Sequence, residues 1–449
     1  MKSRRKRIAV AALCVAVAAA FADSSIVVLA LPQLLNRFRV SVEAISWVIT
    51  AYNVVVAVVA LALVGVARLR RGRLMLASGV GFFLVGSAGC AASSGLDALV
   101  ALRCVQGLGG GLLLVASLPR LSALVGSHRR GIELWAMSGA IGAGIGPALG
   151  GVLTQGFDWR AIFVLQVPLA AAAGLALGAE LPLENEGEHL TRPRERLGAN
   201  VALGLVSGAL VGALFLAVVL LIDGWLLSPI EAAGIVSVIP VATVLSGRFA
   251  GALPRRGAAA AGAVALAGGL GGLALLPGAS ILFALLSLVL CGVGIGLAVP
   301  PLTASSLDAD ALDTSGALTI GIRHAGLVLA LVVLTPVLAS NLIAAQSKAT
   351  DRGAGVVLDS GVPIRTKVPL ALDLARTLRN AGVEVPDFAP IFARHENTGN
   401  RPQLEQLRRR LVAVIDAMVT RSTRAAFAIS ALLAVLALLP LPLLRARAR

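Results

Sequence analysis

Charge is what this sequence has least of. Only 14% of its residues are Asp, Glu, Lys or Arg, against 57% hydrophobic ones, and its mean hydropathy is +0.90. A water-soluble chain of this length cannot hide that much apolar surface, so a polytopic, all-α membrane protein is expected. Cysteine is sparse as well. Cys14, Cys90, Cys104 and Cys291 lie in apolar runs without CxxC spacing, which argues against disulfides and zinc sites. There is no HExxH, no GxSxG and no GxxxxGK[ST], and Gly107 to Gly111 sit inside an apolar run. Metal-dependent hydrolysis, a nucleophile elbow and ATP cleavage therefore lack a site. No enzyme, cofactor or metal is expected, and energy must come from an ion gradient. The small charge complement is lopsided, with 39 basic against 23 acidic side chains. In a membrane chain that excess marks cytoplasmic loops, not a nucleic-acid surface.

Apolar runs bounded by charge or Gly/Pro clusters lie near residues 8–32, 44–67, 74–93, 96–118, 132–154 and 160–179. After the polar stretch Glu180 to Arg196, six more lie near 198–222, 232–253, 257–277, 279–300, 314–340 and 424–444. Each is long enough to span a bilayer. The pattern predicts an N-terminal six-helix half over 1–179, a cytoplasmic linker over 180–197 and a C-terminal half over 198–449. Two such halves point to a pseudo-symmetric transporter with its site between them. The start, MKSRRKR before an Ala/Val run, mimics a secretory signal. Apolar residues resume after Asp23 and continue to Pro32, so it is read as an uncleaved first span. Basic clusters at Lys2–Arg7, Arg68–Arg73, Arg120 with Arg129 and Arg130, Arg255 with Arg256, and Arg445–Arg449 alternate with nearly uncharged loops. Both termini are therefore placed in the cytoplasm.

Residues 341–423 do not fit a bare bundle, because they carry many charges of both signs. Leu370, Leu374 and Leu378 repeat at helical spacing, as do Leu404, Leu407, Leu411, Val414, Ile415 and Met418. Two amphipathic helices forming an external hairpin are predicted, the second continuous with the last span. Arg408, Arg409 and Arg410 fall on its solvent side, in a position to steer cargo.

The stretch Gly139 to Gly151, GAIGAGIGPALGG, organises the first half. Gly142, Gly146 and Gly150 fall four apart and stack on one helical face, with Pro147 and Gly151 beside them. A close helix contact is expected there, made by a helix of the opposite half, with a bend at Pro147. This pattern resembles the fifth-helix antiporter signature of the drug:proton antiporter branch of the major facilitator superfamily, whose members in this branch usually carry fourteen helices. Three further stretches are similar to motifs of that branch: Asp23 to Pro32, Arg103-Cys-Val-Gln106-Gly107-Leu-Gly109-Gly110, and Trp159 to Pro168 with Gln166 in place of Asn. The loop Gly65-Val-Ala-Arg-Leu69-Arg70-Arg-Gly72-Arg73 resembles the cytoplasmic gate loop, with Leu69 where the family has an acid. About twelve helices, not fourteen, fit this chain. The resemblance implies a multi-pass bacterial plasma-membrane exporter, acting as a monomer on small-molecule substrates and protons by alternating access.

Within the spans, Asp23 is the sharpest candidate, since a carboxylate in hydrocarbon must protonate, pair or meet water. Counted at about 1.5 Å per residue, Asp23 and Arg103 lie at similar depths, which makes their coupling possible. An arginine nearby favours the ionised acid and burial the protonated one, the basis for a proton switch. Gln106 lies one turn from Arg103. Tyr52 and Asn53 are equally suited to substrate contact or helix–helix hydrogen bonding. Trp135 offers an aromatic face for a lipophilic cation or an interfacial anchor. Arg323 and His324 lie within span eleven and complete the candidate cavity. The favoured cargo is small, amphipathic and cationic. Export of a lipid, glycolipid or secreted metabolite stays open, because Asp23 is the single clear deep acid. A non-transporting scaffold or sensor ranks last.

Overall fold

The computed structural model describes residues 2–65, 72–178, 193–308, 311–380, 389–395 and 401–444. Eleven helices among them are long and apolar enough to cross a membrane. They are Arg4–Phe38, Val42–Val64, Gly72–Ala92, Leu96–Val125, His128–Gly156, Pro193–Gly224, Pro229–Ala252, Arg255–Ala274, Ile281–Ser306, Leu312–Ala345 and Arg401–Leu443. The shorter apolar helix Arg160–Ala176 stands sixth in order. Each expected apolar run is helical, the sixth falling short of spanning length, and no strand occurs among the described residues. Large apolar side chains such as Val85, Leu282, Leu286 and Leu329 are exposed on the outside of the bundle. Lipid would solvate such a surface; water would not.

The core is split in two. One apolar cluster takes residues 26–35 of the first span, 42–49 of the second and much of the seventh, from Ala199 to Leu221. The other takes residues 9–21 of the first span, 52–60 of the second, 113–124 of the fourth, and Leu307, Leu312, Ala317 and Ile320 from the opposite half. Between them, at the same level of the first, second and fourth spans, lies a band of polar side chains. The halves meet on both sides of that band. Gly321 faces Leu61, Gly316 faces Leu118, and Gly144 faces Pro240.

The first span changes its winding just beyond the polar band. Its α-helix runs to Ile26, Val27–Ala30 form a 3₁₀ turn, and α-helix resumes at Leu31. Pro32 supplies one cause. It has no N–H for the Val28 carbonyl, and the tighter turn lets the Leu31 N–H reach that carbonyl instead.

The glycine face of the fifth span packs on a different neighbour from the one expected. A Cβ at Gly142 would strike the Ala18 backbone, one at Gly146 would strike Ser25, and one at Gly150 would lie 2.6 Å from the Ile26 carbonyl oxygen. That is the first span, in the same half. Contacts with the opposite half come from the adjoining stripe, where Gly144 meets Pro240 and Gly151 meets Ala233. Helical spacing reveals that a smooth face exists, but both stripes are smooth and spacing cannot say which neighbour takes which. The carbonyl that Pro147 leaves without its helical donor is satisfied from outside the helix. The helix His128–Gly156 is continuous, and the carbonyl of Ala143, which loses its donor to Pro147, accepts a hydrogen bond from Ser25 Oγ at 3.0 Å.

The segment after span eleven forms a small helical bundle, not a two-helix hairpin. The eleventh helix continues without a break from Leu312 to Leu358. It is joined by Ile364–Asn380, the short Ala389–His395 and Arg401–Ser422, the last leading into the final span. Val357, Leu370, Leu374, Ile391, Phe392, Leu404, Leu407 and Leu411 make a separate apolar core. The side chain of Leu378 lies outside the described residues. Arg408, Arg409 and Arg410 are exposed, as the periodicity predicts. His395 Nε2 lies 3.0 Å from Asp373 Oδ2 and fastens the short helix to its neighbour.

Two expectations follow. Gly142→Leu should destabilise the purified protein by about 1–3 kcal/mol through overpacking, whereas Gly156→Ala, with nothing within 4 Å of its Cβ, should be close to neutral; detergent melting curves compare them. The hydrogen bond from His395, with the charges of Arg394, His395 and Arg376 nearby, holds the Asp373 carboxyl below its ordinary range. A lowered folded-state value stabilises above the ordinary carboxylate value of about 3.9 and is lost as pH falls through the folded one. Amide exchange over Ala389–His395 should therefore accelerate below about pH 4, and Asp373→Asn should remove that acid limb.

Candidate functional site

The polar band is centred on Asp23, Arg103, Gln106 and Gln166, all buried, from the first, fourth and sixth apolar helices of the first half. Arg103 Nη1 donates to Asp23 Oδ1 at 2.7 Å, and Nη2 lies 2.6 Å from Oδ2, so the pair is bidentate. Both side chains have zero solvent exposure. The rest of the guanidinium is also engaged. Its Nε donates to the Val48 carbonyl at 2.7 Å, and Nη1 also donates to Gln106 Oε1 at 2.6 Å. Its carbon sits 4.5 Å from the Tyr52 ring centroid and 5.8 Å from that of Phe163. A planar fork matched to a carboxylate, with Nε and Nη1 bonded further, is what makes a buried ion pair tolerable.

Two amides close the circuit. Gln166 Nε2 donates to Asp23 Oδ1 at 2.8 Å, and Gln106 Nε2 donates to Gln166 Oε1 and, at 2.9 Å, to Ser87 Oγ. Asp23 thus touches the fourth and sixth spans at once. Gln166 takes part in the network although composition alone did not single it out. Its signal in the sequence was a lone amide inside an apolar helix.

A second group crosses between the halves. Asn53 Nδ2 donates to the Ile49 carbonyl at 2.9 Å, which fixes its Oδ1 as acceptor. That oxygen receives Ser24 Oγ at 3.0 Å and faces His324 Nδ1 of the eleventh span at 2.7 Å. His324 Nδ1 must therefore carry a proton. Tyr52 donates to the Ala20 carbonyl at 3.1 Å. Trp135 is buried, not interfacial: its Nε1 donates to Ser117 Oγ at 3.1 Å, and its ring meets Phe21 edge-on at 5.3 Å. Phe21 also stacks on His324 at 6.4 Å and carries the Arg323 guanidinium at 5.0 Å from its ring centroid.

The structure thus gathers Asp23, Arg103, Gln106, Tyr52, Asn53, Trp135, Arg323 and His324 in one region. The gate loop is only partly described. Gly65 caps the second span, and Gly72 with the exposed Arg73 opens the third. Arg70 lies outside the described residues. On the same side of the membrane by helix order, Arg196, in the first turn of the seventh helix, and Asp308, just beyond the tenth, form an ion pair, which the sequence reading missed because the two residues lie 112 apart in the chain. Among the described residues no cluster of three or more His, Cys, Asp or Glu has metal-binding geometry.

Residues 13–330 match the family model described as Major Facilitator Superfamily. "Multidrug resistance protein Stp" of Mycobacterium tuberculosis is 33% identical over 154 residues, covering 34% of this chain and 29% of that protein. "Multidrug efflux pump LfrA" of Mycolicibacterium smegmatis is 31% identical over 185 residues, covering 40% of this chain and 36% of that protein. These alignments span about a third of the curated relatives' length. Among solved structures, a bacterial homolog of the human lysosomal transporter Spinster, inward-facing and occupied, superposes with a TM-score of 0.66 at 14% identity over 97% of this chain and 95% of that one. A D-xylose–proton symporter gives 0.58 at 14% identity over 72% and 88%. At such identities the structural likeness concerns the fold alone.

Cutting the ion pair from one side leaves the other charge in hydrocarbon. Arg103→Ala should cost about 3–5 kcal/mol of stability, and Asp23→Asn added to it should recover a large part. A double-mutant cycle on melting in detergent checks the sign of the coupling.

Proposed function

We propose that this chain, which belongs to the Major Facilitator Superfamily, exports small amphipathic compounds in exchange for protons by alternating access. The observation carrying this reading is the fully buried Asp23–Arg103 pair, with Gln166 on the same carboxylate oxygen that Arg103 Nη1 contacts. In a site with both partners excluded from water, a proton on Asp23 removes one charge and leaves Arg103 uncompensated. Arg103 stays anchored by its Nε to Val48. The first span is the element that responds, because its winding changes three residues beyond Asp23 and Ser25 ties it to the fifth span.

Neutralising Asp23 thus loosens the contact of the first span with the fourth and sixth. The same span bears Ser24, which shares Asn53 Oδ1 with His324 of the other half. Proton binding is in this way linked to the contact that the two halves must make and break. The basic loops support cytoplasmic termini, which places the bundle formed by 341–423 outside. The multidrug names of the relatives support an export direction.

Asp23→Asn preserves the shape and one acceptor oxygen for Arg103 but cannot take up a proton. Reconstituted in proteoliposomes with an imposed pH gradient, the variant should elute as a monodisperse folded protein and lose gradient-driven transport. Transport at the unmodified rate by well-folded Asp23→Asn would refute proton coupling at this residue.

A further inference from the structure

Arg323 differs from every other deep charge in the bundle. It is 11 residues into a span that begins at Leu312, roughly 17 Å along the helix, and it is only partly buried. Asp23 has Arg103, and Asp308 has Arg196. Arg120, the other buried arginine, donates to the Ala176 carbonyl through Nε and Nη2 at 3.1 and 2.6 Å. Among the described residues no carboxylate and no hydrogen-bond acceptor is paired with Arg323. Its recorded contact is the face of Phe21. A cation this deep in a span is retained where something compensates it, and the protein itself supplies only a ring.

The surroundings of that cation have a definite chemistry. Phe21 lies between Arg323, His324 and Trp135, the last two being ring contacts at 6.4 and 5.3 Å. Tyr52 meets His324 edge-on at 6.5 Å. Three of these residues come from the first half and two from the second, so the group lies across the interface through which cargo must pass. Asn53 holds His324 through Nδ1, and Ser117 holds the Trp135 indole. Aromatic surface is thus fixed in place beside a guanidinium that has no counter-ion. Asp23, the single clear deep acid of the sequence, has both oxygens occupied by Arg103. The charge of the site therefore runs against the cationic cargo that the sequence favoured.

We propose that Arg323 is the anion-recognising residue of the cargo site, and that the cargo is an amphipathic acid with a flat apolar body seated against Phe21 and its carboxylate or equivalent group on the guanidinium. The proposal rests on the export reading for the identity of the site, but its test uses equilibrium binding and needs no gradient. Full-length protein in lipid nanodiscs is titrated with 2-naphthoate, with 2-naphthamide, and with a naphthyl trimethylammonium cation, following tryptophan fluorescence. Unmodified protein should bind the acid at least about tenfold more tightly than the amide, the size expected of one charge-assisted pair, and the cation more weakly still. Arg323→Gln should bring the acid down to the affinity of the amide and leave the amide unchanged. Arg323→Lys, which keeps the charge, should retain a preference for the acid. Preference of the unmodified protein for the cation or the amide, no binding of the acid, or equal binding of the acid by Arg323→Gln would each overturn the proposal. Loss of proton coupling in Asp23→Asn leaves these affinities as readable as before, so the two readings fail separately.

Discussion

A carboxylate and a guanidinium with zero solvent exposure set the terms for the rest of this bundle. Each ion, moved alone into hydrocarbon, costs several kcal/mol after relaxation, so Asp23 and Arg103 tolerate burial only together and only with their other groups engaged. That requirement explains the polar residues around them. Val48 lends a carbonyl, Gln106 and Gln166 complete the circuit, and Tyr52 and Phe163 cover the guanidinium with ring faces. It also explains why the apolar core is divided at this level. Side chains above and below the band are Leu, Val, Ala and Ile, packed across the halves, and they keep water from the pair.

The span that carries Asp23 is held by close backbone contacts. The first span packs against the glycine stripe of the fifth with no side chain between them at Gly142 and Gly150. Glycine does here what leucine cannot, since in lipid the attraction between helices comes from close packing and not from the hydrophobic effect. The second half uses the same device. A Cβ at Gly326 would strike Gly204, and one at Gly208 would lie 2.8 Å from the Gly326 carbonyl oxygen, one turn beyond Arg323. Two glycine seams therefore flank the site, one in each half, and both adjoin residues of the polar band.

The sequence made the spans legible because hydropathy and length alone decide them, and the Asp23–Arg103 pair because depth can be counted along two antiparallel helices. Rotation about those helices cannot be counted, which is why Gln166, named only as part of a motif, was not placed on Asp23 and why Trp135 proved to be interior. The glycine stripe was visible, but its partner was not: Gly142–Gly146–Gly150 and Gly144–Gly151 lie on adjacent faces, and only packing assigns one to the first span and the other to the eighth. The partner that Pro147 leaves to Ala143 is invisible along the chain, since the hydroxyl that satisfies its carbonyl belongs to Ser25, 118 residues away. The helical bundle at 341–423 was half legible. Its apolar repeats were clear, but the unbroken run of the eleventh helix to Leu358 supplied a wall that no amphipathic period predicts.

The sign of the cargo decides what the membrane potential contributes. With a proton entering as a cationic cargo leaves, the two charge movements oppose each other, and the voltage does no net work on a one-for-one exchange. An acidic cargo moves the other way in charge. Its exit and the entry of a proton both run with an interior-negative potential, each at about 2.3 kcal/mol per 100 mV. A site holding Asp23 neutralised by Arg103 and a further, uncompensated Arg323 is suited to that second arrangement.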